Sequence, residues 1–254
     1  MKITVLGCGS SMGVPALRYG WGYCDKKNFK NRRTRSSIII ESENTSLLID
    51  MSPDLRQQIL DYGKEKIDAV IITHVHFDHT FGINELRPLF SGENRKLSIY
   101  ARKNTLDEIN QVFSYFFQET KYDIYKPHIS THILEDNFRI GDISGICFEQ
   151  DHGFSKSTGI RIGNFAYCTD VVSMNHEIFK KLKNLDVWIV ECTSLESATP
   201  THAHLDLTLQ WINKVKPRRA FLTHMGATMD YDSLLKILPE NVRPAHDQMS
   251  IALE

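Results

Sequence analysis

The sequence is short of several features, and each shortage excludes a class of protein. Five cysteines (Cys8, Cys24, Cys147, Cys168 and Cys192) are widely spaced, odd in number and free of any CxxC pair. That excludes a disulfide scaffold or a cysteine-rich zinc ribbon and suits a reducing compartment. No apolar run approaches the roughly 18–20 residues of a membrane-spanning helix, so no membrane partner is expected. The formal charge is only −1, from 30 Lys plus Arg against 31 Asp plus Glu. So even a balance argues against holding nucleic acid by bulk electrostatics. The start, MKITVLGCGSSMG, has one lysine and a short apolar run rather than an export signal, so a cytoplasmic protein is expected. No low-complexity tract, long linker or internal repeat interrupts the 254 residues. One domain over residues 1–254 is the expectation.

What is present is an ordinary globular composition, 41% hydrophobic and 24% charged, and 11 unevenly placed histidines. In the first half, Lys2–Leu6 reads as a strand ending in the glycine-punctuated GCGSSMGVP. Ser37–Ile40 and Leu47–Ile49 read as a hairpin, and Leu55, Ile59 and Leu60 as the apolar stripe of a helix. Ile67–Thr73 reads as a buried strand, and Thr105–Gln118 as an amphipathic helix. In the second half, strands are expected at Ile143–Phe148, Gly159–Ile162, Phe165–Cys168, Val187–Val190, Ala220–Leu222 and Ser250–Leu253. Helices are expected at Asn175–Leu182, Leu207–Val215 and Tyr231–Leu238. Strands and helices mixed in both halves predict two sheets with helices packed outside them.

The strongest signal is Thr73-His74-Val75-His76-Phe77-Asp78-His79, directly after the strand at Ile67–Thr73. Three imidazoles and a carboxylate in six residues are not core packing; they suit Zn²⁺, Mn²⁺ or Fe²⁺. Asp151-His152-Gly153 lies between two expected strands, and His224 follows Ala220–Leu222 as the first cluster follows its strand. Cys168 and Asp170, two residues apart, would share a face in an extended chain.

With this HxHxDH run the sequence resembles the metallo-β-lactamase superfamily. Within it, the chain looks most like the phosphoribosyl cyclic-phosphate phosphodiesterases of phosphonate utilisation. The resemblance runs through GCGSSMGVP, LLID at 47–50, THVHFDH at 73–79, DHG at 151–153, YCTD at 167–170, HLDL at 204–207 and LTH at 222–224. It implies an α/β (α+β) fold, an αββα sandwich of two mixed β-sheets with helices on the outer faces and two divalent metal ions (Zn²⁺ or Mn²⁺) at one edge. His74, His76 and His152 would bind one ion, Asp78, His79 and His224 the other, and Asp170 would bridge them. Cys168 would then be a small buried hydrophobe. A hydroxide bridging two such ions attacks phosphorus, and Asp78 would orient it as well as bind metal.

The same resemblance makes His204 the proton donor to the leaving alkoxide, a task to which imidazole is suited. His202 reads as a surface loop histidine. Glu191, in Glu191-Cys192-Thr193, resembles a Glu-x-Thr element of tRNA 3′-processing nucleases and is a candidate to orient His204. His128, His132, His176 and His246 match no motif and read as surface residues. Lys26 to Arg35 holds six cations and no acid; Arg32 and Arg33 are its candidate substrate contacts. Clustered cysteines after Trp-Gly and a later histidine hold a structural zinc in the resembled enzymes. Here only Cys24 remains, and Ala227 stands at the histidine position, so no structural zinc is expected.

The expected activity is hydrolysis of a small-molecule phosphodiester, a cyclic phosphate or nucleotide diester. The alternatives are an endoribonuclease of the tRNA 3′-processing type, with RNA as partner, and a non-catalytic metal-binding member. Against the nuclease, residues 100–140 hold no Gly/Pro-rich arm. A homodimer is left open.

Overall fold

The structure, a computed structural model, describes residues 1–90, 96–117, 129–196 and 199–253. Its strands are β1 (Lys2–Gly7), β2 (Ser37–Glu41), β3 (Ser46–Ile49), β4 (Ala69–Ile71), β5 (Leu97–Ala101), β6 (Ile129–Ile133) and β7 (Asn137–Ile140), followed by β8 (Ile143–His152), β9 (Ser155–Ile162), β10 (Phe165–Cys168), β11 (Val187–Glu191), β12 (Arg219–Thr223), β13 (Val242–Pro244) and β14 (Met249–Ala252). They form two sheets, ordered β14-β1-β2-β3-β4-β5-β6 and β13-β12-β11-β10-β9-β8-β7. Each sheet is antiparallel over its hairpins and parallel beyond them, through β3 to β6 in one and β10 to β13 in the other.

The unbroken apolar run of β2 shows why two layers are not enough. Ile38 and Ile40 enter the cluster between the sheets, whereas Ile39 joins an outer cluster with Leu55, Ile59, Leu106 and Ile109. A strand buried on both faces needs a cover on each. The helices Leu55–Tyr62 and Lys103–Val112 supply the outer cover of the first sheet. Ile178, Trp211 and Ile212, from His176–Lys181 and Leu205–Val215, pack with the second. Each fully buried aliphatic side chain contributes about 1.5–3 kcal/mol.

Several expected boundaries move. The Ile67–Thr73 ladder shrinks to β4, because the backbone leaves the sheet at Thr73 to bond Asp50. The helix expected over Thr105–Gln118 starts at Lys103, breaks at Phe113 and resumes as Ser114–Phe117; Gln118 lies outside the described residues. β8 runs on to His152 and pairs with β9, so His152 ends a strand rather than sitting in a loop. Leu60 is 54% exposed, and Gln58 takes its place on the buried face of that helix.

The loop after β1 stitches the two sheets together. Gly9 bridges both Arg35 and Met225, and a Cβ there would stand 2.8 Å from the Thr34 carbonyl oxygen. Met225 N–H in turn donates to the Cys8 carbonyl at 2.9 Å. Further along, Arg33 departs from the expected substrate contact. Its side chain is only 2% exposed and points inward. Nη2 donates to the Met229 carbonyl (2.6 Å) and Asn31 Oδ1 (3.3 Å), and Nη1 to the Gly226 carbonyl (3.4 Å) and Cys24 Sγ (3.8 Å). The Cys24 thiol reaches the Ala227 carbonyl at 3.5 Å. The guanidinium fork thus joins residues 24–33 to residues 226–229, just after His224. Arg32 stays exposed, its guanidinium 5.9 Å from the Trp21 ring centre.

Arg33→Ala leaves the Met229 carbonyl without a donor and the Gly226 carbonyl with only the Met229 N–H, at roughly 1–3 kcal/mol for a buried unsatisfied group. Urea unfolding is expected to show a loss of about 3 kcal/mol; a loss below ~1 kcal/mol would contradict this pinning role.

Candidate metal centre

The expected ligand side chains come from the carboxyl ends of β4, β10 and β12 and from the tip of the β8–β9 hairpin, and they meet between the sheets. Three residues that follow strands, Asp50, Asp170 and His224, hold positive φ values of 62°, 52° and 57°. Non-glycine residues rarely adopt this left-handed conformation, and it persists where the surroundings over-determine it. Here it turns each chain out of its sheet while the side chain stays in the interior.

Two donor sets form. His74, His76 and His152 make one; Asp78, His79, Asp170 and His224 make the other; and the ligand atoms within each lie within 4.8 Å of one another. Asp170 faces both. Its Oδ1 is 3.8 Å from His74 Nε2 and 3.7 Å from His152 Nε2, and its Oδ2 is 3.1 Å from His79 Nε2. Asp78 Oδ2 lies 3.2 Å from Nε2 of both His79 and His224. Cys168 is buried inside β10, where burial pushes its thiol up to about 12.

The donor set fits divalent metal. Ligand bonds of about 2.0–2.2 Å put neighbouring donors roughly 3–3.5 Å apart at tetrahedral to octahedral angles, close to the separations found. His74 Nε2 is buried without a hydrogen-bond partner, a costly state for a polar atom unless an ion receives its lone pair. The opposite ring nitrogens are held from behind. His152 Nδ1 donates to the Thr201 carbonyl (2.8 Å), and His224 Nδ1 lies 3.3 Å from Thr193 Oγ1.

Asp50 holds two histidines at once, a role not read from LLID. It accepts from His79 Nδ1 at 2.7 Å and from Thr73 Oγ1 at 2.8 Å, and that hydroxyl lies 3.0 Å from His74 Nδ1. With the Thr73 hydrogen committed to Asp50, its oxygen accepts from His74 Nδ1. Both Nε2 lone pairs are thereby aimed inward.

The electrostatics of the metal-free protein follow from four buried carboxylates, Asp50, Asp78, Asp170 and Glu191. Burial alone would neutralise His79, but Asp170, Asp78 and Asp50 outweigh it and raise it well above the ordinary histidine value. His224 is likewise opposed by burial yet raised to about 10 by Asp170, Asp78 and Glu191. Against its own burial, Asp170 is held well below the usual carboxylate range by His224, His79 and His74. Protons on imidazoles thus balance acids that a cation would otherwise satisfy.

A third group adds residues that the sequence placed differently. Glu191, at the end of β11, lies with His202, Asp170 and His224. His202 Nδ1 is 2.5 Å from Glu191 Oε1, and its ring stacks on His224 with centroids 5.0 Å apart and planes at 16°. His202 is therefore not a surface bystander. His204 instead occupies the N-cap position of the helix Leu205–Val215, with its Nδ1 buried and without a hydrogen-bond partner, and it belongs to none of the donor groups among the described residues. Backbone bonds from Ala203 N–H to Val171 and from Thr193 N–H to the Ala203 carbonyl (3.1 and 3.0 Å) set this path. Residue spacing alone could not separate two histidines two residues apart. His132 lies under Tyr100, and His128 falls outside the described residues.

Two mixed sheets with these donors at one edge define a metallo-β-lactamase-like fold with a candidate metal centre. Residues 45–225 match the sequence model of the beta-lactamase superfamily domain, and the chain belongs to that family. A crystal structure of a diphosphatase from the PhnP family superposes with a TM-score of 0.88 and 29% identity, over 99% of this chain and 97% of that one. An octanoyltransferase of Porphyromonas gingivalis is 28% identical over 257 residues, covering 100% of this chain but 52% of that protein. The chain thus spans about half the length of that relative. A ribonuclease Z of Azobacteroides pseudotrichonymphae is 24% identical over 232 residues, covering 76% of this chain and 74% of that protein.

Two measurements probe the centre. A metal must displace the protons on His224 and His79, so affinity for a divalent ion is expected to rise with pH between 6 and 8. The slope should be about tenfold per pH unit for each proton released, read by competition with a chromophoric chelator; a flat profile would contradict this charge balance. Asp50→Asn presents an amide N–H where His79 Nδ1 needs an acceptor. It is expected to weaken metal binding roughly 10–100-fold, and unchanged affinity would remove the positioning role.

Proposed function

We propose that this protein is a hydrolase, a dinuclear phosphodiesterase of small molecules that cleaves a cyclic phosphate or nucleotide diester. The observation that carries the reading is the sharing of Asp170 between two donor sets with the Glu191–His202 pair beside them. In this reading His74, His76 and His152 would hold one divalent ion, Asp78, His79 and His224 would hold the second, and Asp170 is placed to serve both. Bound Zn²⁺ or Mn²⁺ would activate water and offset charge on the phosphoryl group. Asp78, with one oxygen turned to His79 and His224, holds metal and orients the attacking water.

His202 takes the acid role that the sequence suggested for His204. Glu191 keeps a proton on His202 Nδ1, leaving Nε2 to deliver its proton to the leaving alkoxide. Glu191 is suited to this: although its burial works the other way, His202 and His224 hold it below the usual carboxylate range.

The basic segment favours a small substrate over RNA. Arg33 is buried, Arg35 is paired with Asp54 at 2.9 Å, and Lys30 lies 4.5 Å from the Tyr231 ring centre, so half of its six cations are engaged locally. Acyl transfer, the activity named for the octanoyltransferase, commonly runs through a nucleophile such as a thiolate. All five cysteines here are buried.

A panel of bis(p-nitrophenyl) phosphate, cyclic ribose phosphates and pre-tRNA, with Zn²⁺ or Mn²⁺, tests the substrate class. Small diesters are expected to turn over; cleavage of pre-tRNA alone would overturn the reading. The acid is tested by leaving group. His202→Ala is expected to lower turnover of alkoxide-releasing cyclic phosphates by about 10²–10⁴-fold. The loss should be far smaller with bis(p-nitrophenyl) phosphate, whose phenolate leaves unaided, and bound metal should be unchanged. Equal losses on both substrates, or loss of metal, would assign His202 another role.

A further inference from the structure

Beside the centre lies a cavity of about 380 Å³, walled by Met12, Ala16, Tyr19, Tyr23, Thr193 and Thr228, with glycine backbone between them. Its surface is mostly apolar. The side chains around its mouth stand in water, Tyr23 78%, Tyr19 60% and Met12 55% exposed. Thr193 belongs both to its wall and to the polar centre. The Thr193 hydroxyl donates to Glu191 Oε1 at 3.0 Å, and its carbonyl accepts from Gly226 N–H at 2.9 Å.

The walls are held in place. Tyr23 N–H donates to the Ala227 carbonyl at 2.8 Å. Gly22, at φ +55°, passes so close that a Cβ would meet the Ala227 oxygen at 2.5 Å. Arg33 clamps Gly226 and Met229 from behind. A preformed apolar hollow next to a polar centre is a usual arrangement for binding the unreactive part of a substrate.

We infer that this cavity is the subsite for an apolar ester group, an alkyl chain or aromatic ring, of the phosphodiester whose phosphoryl group sits at the histidine–carboxylate centre. The inference rests on the phosphodiesterase reading and narrows it. A cyclic or nucleotide diester would be preferred in proportion to the apolar surface it places here. Although Ser10, Thr193, Thr228 and two tyrosines border the hollow, most of the surface they present to it is apolar, so hydrocarbon or a stacked ring face suits it better than a hydrated sugar. Tyr19 and Tyr23 are placed to cover such a group from the mouth.

The test is calorimetric binding of methyl, hexyl and phenyl phosphate to the metal-loaded protein, alongside turnover of bis(p-nitrophenyl) phosphate. Hexyl phosphate adds five methylenes to methyl phosphate and is expected to bind about 30-fold or more tightly. Its heat-capacity change should be more negative, as apolar burial requires. Phenyl phosphate preferred over hexyl phosphate assigns a ring; the reverse assigns a chain. Thr228→Trp fills the hollow and should cut the hexyl-to-methyl ratio at least tenfold, whereas Thr228→Ser, a control for folding, should retain it.

Equal affinity for the three phosphates, or a preference that survives Thr228→Trp, would overturn the subsite. So would a dimer of the chain that shields Tyr19 and Tyr23 from nitration, because the hollow would then be a subunit contact. Diester turnover without an apolar preference removes the subsite and leaves the phosphodiesterase reading standing. Absence of both phosphate binding and turnover removes both.

Discussion

The interaction on which the rest depends is the buried contact of Asp170 with histidines from both sheets. Asp170 follows β10 in the second sheet, whereas His74 and His79 follow β4 in the first. Its oxygens lie 3.1–3.8 Å from His79, His74, His152 and His224. A carboxylate buried among apolar strands is unfavourable without compensating charge. The fold supplies that compensation as protonated imidazole in the metal-free state, and the donor geometry suits divalent metal in its place. The two layers are thus joined by electrostatics at the edge and by apolar packing elsewhere.

Around that contact, the outer hydrogen bonds do as much as the inward-facing atoms. Asp50 orients His79 directly and His74 through Thr73; the Thr201 carbonyl orients His152; Thr193 stands behind His224. Left-handed backbone at Asp50, Asp170 and His224 turns the chain sharply at strand ends. The Gly9 stitch and the Arg33 clamp then tie the flanking loops to the segment after His224. These are polar, backbone-directed devices at an edge whose neighbouring core is almost wholly apolar.

Much of the fold was legible because its strands are strongly patterned. The apolar runs at Lys2–Leu6, Ser37–Ile40 and Val187–Val190 lie within strands. The strands β5, β6, β7 and β13 were not read, since polar or half-exposed positions interrupt them and they lack the continuous apolar run that marked strands of the same length. At the centre, the residues of the HxHxDH run, with His152, Asp170 and His224, do converge. His202 and His204 could not be told apart by spacing. The bends around Ala203 send one to Glu191 and the other to a helix start. Arg33 looked like a substrate contact because charge run and burial are independent properties.

The sequence by itself determined the elements and the chemistry of the donors: strands from apolar runs, helices from their stripes, and a dense histidine–carboxylate run at one strand end. Those depend on neighbours along the chain, and periodicity and residue type record them directly. Only the tertiary structure decided that Glu191 meets His202, that Asp50 holds two histidines, that Arg33 points inward and that a hollow opens beside Thr193. Each joins residues distant in sequence. Such pairings arise from how the two sheets pack and where their loops cross, and no local pattern in the chain encodes that register.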